Sequence, residues 1–226
     1  MTDFEQLKEI CRVACHERNA CKEGFSALMQ TESIPQIMQV WKANWDDVFR
    51  SRYSDIMVKR LTELSPSTIE EMRNGGVYVN EDSERGYVII CNSDRPVSVG
   101  GTARAYIFTP AEVTATENAQ VYCRTEGSKI TLREHAYAHV ENKGTSVEVY
   151  NFAKADGVMQ CNIHNAAEVV MQGGVVCDYG HRRIAAYGGT KVYSDATKGI
   201  ELGGQSRKYP LSDHPNANDN ANENEE

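Results

Sequence analysis

The chain has 226 residues, 40% hydrophobic and 25% charged, a balance that suits a globular protein of one large domain or two modest ones. Its net charge of −8 disfavours affinity for nucleic acid or anionic lipid. No apolar run reaches the roughly 18 residues that a membrane-crossing helix needs, so no membrane association is expected.

At the N-terminus, Asp3, Glu5 and Glu9 face a lone Lys8 where a secretory signal would need basic residues, so a cytoplasmic protein is expected. Seven cysteines (Cys11, Cys15, Cys21, Cys91, Cys123, Cys161 and Cys177) are an odd number, which reads as free thiols in a reducing compartment. Cys123 and Cys177 fall on inward strand positions, where cysteine acts as a small hydrophobe.

Residues 1–76 read as helices. Asp3 can cap a first helix carrying Phe4, Leu7, Cys11 and Ala14 on one face and stopping near Gly24. Ser33, before Ile34 and Pro35, opens a second with Ile37, Trp41, Trp45 and Val48 on one side. Ser54 caps a third, with Met57, Leu61 and Leu64 in register. A last short helix starts at Ser65 and Pro66, has a capping box from Ser67 to Glu70, and ends at Asn74, Gly75 and Gly76. Helices this short need a surface to pack on. They are expected to form a bundle or a cap over an open end, or a separate docking domain.

From Val77 onward the signals are those of strands. Between residues 103 and 202 a pattern recurs, anchored on Ala105, Val113, Val121, Ile130, Ala138, Val147, Ala155 and Ile163, so each step is 8 or 9 residues. Two residues to either side of the anchors are again small or apolar, as at Ala111 and Ala115, Ala119 and Cys123, or Ala136 and Val140. The residues between are polar or aromatic. Only strand geometry sends alternate side chains to opposite faces in this way. Glu117 with Asn118, Glu126 with Gly127, the segment 141–144, and Asn151 are turn-formers at the junctions. Rougher anchors follow at Val169, Val175 and Ile184, then Val192 and Ile200.

A strand of this length cannot bury its inward face alone, so a fixed period implies coil stacked on coil. The fold class expected is α+β: helices over 1–76, a parallel β-solenoid (β-helix) over 77–204, and a disordered acidic tail over 205–226. A hairpin meander is the competing architecture. It is disfavoured because the turns lack a recurring Asn-Gly or Asp-Gly and the inward residues are unusually small. The winding is open. Two units per coil stack Tyr122, His139 and Asp156; three units stack His139 on His164.

Motifs for chemistry are weak. Cys11, Cys15, His16 and Cys21 resemble a metal set, but His16 leaves the helix face that Cys11 and Cys15 share and no second pair follows, so no metal and no cofactor are expected. The run Gly173, Gly174, Val175, Val176, Cys177, Asp178 is a degenerate, solitary copy of a calcium-binding glycine repeat and is set aside. Outward-facing His139, Asp156, Glu148 and His164 could supply a general base on a solenoid face, which would suit a carbohydrate-active enzyme. No nucleophile elbow, zinc-protease motif or phosphate loop supports catalysis, and no catalytic residue is assigned. Outward tyrosines point to a binding face instead, with Tyr122, Tyr137, His139, Tyr150, Asp156 and His164 as the candidate contacts.

The segments 111–115 (Ala-Glu-Val-Thr-Ala) and 119–123 (Ala-Gln-Val-Tyr-Cys) resemble the Ala-x-Val-x-Ala octapeptide arrays of β-solenoid proteins from bacteriophages and gut bacterial mobile elements. The resemblance implies an accessory interaction or scaffold protein that binds a host protein partner and has no active site. The alternatives are a self-assembling, bactofilin-like polymer, which leaves a homo-oligomer open, and the carbohydrate-active enzyme.

Overall fold

The computed structural model describes residues 1–17, 20–45, 60–61 and 63–215. The helix expected from Ser54 through Met57, the position of Val48 and the tail after residue 215 lie outside these.

Four helices precede the strands among the described residues: α1 (Asp3–Glu17), α2 (Lys22–Met29), α3 (Ile34–Ala43) and α4 (Pro66–Asn74). The cap of α1 is Thr2, not Asp3. Its hydroxyl accepts from the Glu5 N–H at 3.2 Å, while the Glu5 carboxylate accepts from the Thr2 N–H at 2.7 Å. Asp3 is thereby released to accept hydrogen bonds from Ser65 (2.5 Å) and Ser67 (2.6 Å), which tie α1 to the start of α4. The first helix also stops earlier than its apolar spacing suggests. Extended Cys21 opens α2 by accepting from the Gly24 N–H at 3.3 Å, a capping role for a thiol that residue preferences do not anticipate. Ser33 and Pro35 start α3 as expected. At α4 the cap is Ser65, bonded to the Thr68 N–H at 3.2 Å, rather than a box from Ser67.

The strands wind as a parallel β-solenoid. One face is built from β1 (Val77–Val79), β2 (Tyr87–Ile90), β4 (Arg104–Ile107), β6 (Gln120–Cys123), the first halves of β8 (Tyr137–Val149), β9 (Lys154–Ile163) and β10 (Ala167–Asp178), then β11 (His181–Ala186) and β13 (Ile200–Leu202). The other is built from β3 (Val97–Val99), β5 (Glu112–Ala115), β7 (Lys129–Leu132), the second halves of β8 to β10, β12 (Lys191–Tyr193) and β14 (Arg207–Tyr209). Each named pairing is parallel, which excludes the meander. Arg104, Gln120, Tyr137 and Lys154 are successive partners, so by subtraction a coil takes 16 or 17 residues and holds two strand units.

All eight anchors from Ala105 to Ile163 are buried inside. Val97, Val113, Ile130, Val147, Cys161, Val176 and Val192 form one column up the second face. Ala103, Ala119, Ala136, Ala153 and Ala167 recur in the core at one corner. Burying each Val or Ile is worth roughly 1.5–3 kcal/mol relative to exposure, and this repeated burial holds the winding together.

The coils leave the second face through left-handed residues: Gly101, Glu117, Glu134 and Asn151 have φ of 54°, 56°, 60° and 58°. At the opposite corner the chain tightens as it ascends. Glu141 pairs with Val158 and Ser146 with Gln160, so residues 142–145 of β8 stand opposite Met159 alone.

Between Met171 and Gly173 the register of β10 then shifts by one residue, Gln172, which overturns two expectations. Val176, not Val175, enters the column, and Cys177 lies in the outer row between Asn162 and Tyr193, although it is buried there. Asp178 consequently points into the interior, opposite Ile163. It is satisfied by the Gly180 N–H (3.0 Å), His181 Nδ1 (2.7 Å) and the Ser194 hydroxyl. A polar plug thus ends part of the apolar interior.

The described helices pack on the outer side of the first face. Their core is shared with outward residues of the first face, Val77, Ile89, Cys91 and Tyr106, and the Trp45 ring lies 4.1 Å from Tyr87 and 5.2 Å from Tyr106. Tyr78 packs against the interior column at the N-terminal end instead. At the other end, residues 207–213, expected within the tail, carry regular structure. Arg207 to Tyr209 pair with β12, and a short 3-10 turn spans Leu211–Asp213. Their polar side chains hid a strand that needs only backbone partners to form.

Candidate functional site

The six candidate contacts fall in two groups on different faces. On the first face, Tyr122, His139 and Asp156 occupy successive rungs of one outward row. His139 Nδ1 lies 2.6 Å from Asp156 Oδ1, and the Tyr137 hydroxyl donates to the same oxygen at 2.9 Å. His139 Nε2 is 3.6 Å from Glu141, which also accepts from Arg124 at 3.0 Å. Tyr122 stacks at 4.7 Å on Tyr106, under the edge of the helical layer. His139 and His164 are not stacked, so the three-unit winding fails on its own test.

The second group lies where the second face turns its corner. Because Leu132 pairs with Val149 and Val149 with Ile163, the next residues, Arg133, Tyr150 and His164, stack as well. The Arg133 guanidinium sits 4.8 Å over the Tyr150 ring. Tyr150 and His164 are 4.5 Å apart and 9° from parallel; His164 and Tyr179 are 5.2 Å apart and 11° from parallel. Glu148 accepts from Asn162 (2.5 Å) and faces His164 Nε2 (2.9 Å), fixing the imidazole plane. Burial, then the Glu148 charge, raises the Tyr150 phenol above its ordinary value. Beside this stack, His135 and Phe152 form a second one at 5.7 Å. Phe152 is 53% exposed and Tyr179 37%.

Arg133, His135, Phe152 and Tyr179 were not among the sequence candidates. Their signal is the coil period read immediately after each second-face strand, and it is obscured because the coil from Lys154 to Glu168 is shorter than its predecessors.

The chemistry open to these groups is limited. Both histidines are held by carboxylates, which orients a base. Three clefts of about 550 to 670 Å³ lie elsewhere, along residues such as Asp178 to Gly199, Tyr78 to Glu117, and Glu168 to Glu201, and none of the six candidates lines them. Among the described residues no group of three or more His, Cys, Asp or Glu side chains is placed to hold a metal ion. Cys11 is a core residue of the helices, its thiol pushed up to about 12 by burial, while Cys21 caps α2. Burial likewise raises Cys91 and Cys177 to about 11, which keeps them protonated and unreactive near neutral pH. No protein-family model, curated protein or solved structure matches the chain.

Proposed function

We propose that the chain is a non-enzymatic binding module that engages a protein partner along the second-face corner, in the form of a phage-derived or mobile-element accessory factor acting on a host protein. The observation that carries this reading is the ordered column Arg133, Tyr150, His164 and Tyr179 with exposed Phe152 beside it. Arginine and aromatic side chains dominate the energetic centres of protein interfaces, and rings already locked by stacking lose little entropy on binding.

The stacking also speaks to what kind of partner fits. Tyr150 lies between Arg133 and His164, and His164 lies between Tyr150 and Tyr179. A sugar or a nucleobase stacks on an open ring face. These two rings offer their edges, which carry the positive end of the ring quadrupole and suit edge-to-face contact with another protein's aromatics or its carboxylates. This favours a protein partner over the carbohydrate reading.

The test compares host-lysate proteins retained on immobilised wild-type chain with those retained on a Phe152→Ala/Tyr179→Ala variant, both substituted side chains being exposed. Retention of at least one specific protein should fall tenfold or more, while His139→Ala on the other face should leave it unchanged. Equal retention by wild type and double variant would remove the corner as the binding surface.

A further inference from the structure

Among the described residues, β13 and β14 are the last rungs of the two faces, and their outer edges pair with no further strand. On β13 the column positions hold Ile200 and Leu202, opposite Ile184 and Ala186 of the rung below, and Leu202 is 42% exposed. On β14 the column position is held by Lys208, opposite Val192. Every earlier rung of that column carries Val, Ile or Cys: Val97, Val113, Ile130, Val147, Cys161, Val176, Val192. The break in the pattern therefore falls on the last rung of the column among the described residues. The Lys208 ammonium donates to the Ala196 carbonyl, which keeps the charge at the mouth of the column.

An unpaired strand edge over an apolar interior is a template for another strand, and an inward-pointing charge is one way a protein closes it. We propose that Lys208 is an edge guard that prevents the C-terminal coil from pairing with the C-terminal coil of a second copy. The occupant it excludes is a second copy because like ends meet across a two-fold axis, edge to edge, with Ile200 and Leu202 of each buried against the other. In that arrangement the Lys208 of each copy would be carried, unpaired, into an apolar column, which strongly opposes association.

The experiment is sedimentation equilibrium of the full chain and its variants over a concentration series, with circular dichroism confirming the fold. Wild type should remain monomeric. Lys208→Val, which restores the residue of the rung below, should form a dimer and stop there, because the two ends consume each other. Lys208→Val/Leu202→Lys, which places a charge in the other face's column, should return to monomer. A monomeric Lys208→Val at all concentrations, a double variant that dimerises as well as the single, or a wild type that dimerises and is split by Leu202→Lys would each overturn the proposal.

Discussion

Gly157 carries a steric demand that no other residue meets. Its φ is 113°, and a Cβ built there would lie 1.9 Å from the Val140 carbonyl oxygen of the coil beneath. The atom in the way is backbone, and it cannot move without disturbing the ladder that includes Val140 itself. Gly157→Ala should therefore lower stability by about 3 kcal/mol or more, combining a disfavoured backbone conformation with overpacking. Urea denaturation followed by circular dichroism checks this; a loss under about 1 kcal/mol would mean that the tightened corner relaxes freely. Gly174 repeats the situation one coil further, 2.0 Å from the Met159 carbonyl oxygen. The extra residue two positions before it, Gln172, displaced Val175 and Cys177 from the positions their alternation suggests. Strict alternation holds only while the backbone adds no extra residue.

Among the elements, α1 and α4 are joined by Asp3, whose carboxyl is held below its ordinary value of 3.8 by hydrogen bonds from Ser65, then Ser67, then Thr68. A lowered folded-state value means that Asp3 stabilises the helical layer in full above the unfolded value, and that this contribution is lost as pH falls through the folded one. The two tryptophans, Trp41 and Trp45, both sit in the helical core, so their emission reports on this layer and its contact with the first face. Asp3→Ala should destabilise that layer near neutral pH and converge with wild type in strong acid. Acid titrations of tryptophan emission that superimpose for the two chains would show that the tie contributes nothing. That the helices pack on the outside of the first face was not legible beforehand. Their 3.6-residue periodicity shows that a side of each helix is buried, but is silent on what covers it. Tyr87, Ile89 and Tyr106 alternate as any outward aromatic row would.

For the molecule as a whole, each coil contacts its neighbours, so stability accumulates by nearest-neighbour stacking. Among the described residues, the rungs at the C-terminal end have a partner on one side only. Amide hydrogen exchange should be slowest in β8 and β9 and fastest in β13 and β14, with a gradient between them. Uniform protection along the column would instead mean that the solenoid opens as one unit. Of the site, the row Tyr122, His139 and Asp156 could be read from a 17-residue spacing, because the coils that carry it are regular. The row Arg133, Tyr150, His164 and Tyr179 could not, because steps of 17, 14 and 15 residues, by subtraction of those numbers, do not announce a period.

The order of small and apolar residues was sufficient to specify stacked parallel strands, since an interior this narrow admits side chains of that size only when identical positions lie one above another; that two units rather than three make a coil was decided by the structure. Which outward residues meet was decided by the corners, where glycines and left-handed residues set how many positions each turn consumes. The placement of the helical layer, the polar plug at Asp178 and the charge at the last rung were likewise decided in three dimensions. Each depends on which surfaces the winding leaves uncovered, and a linear period carries no record of that.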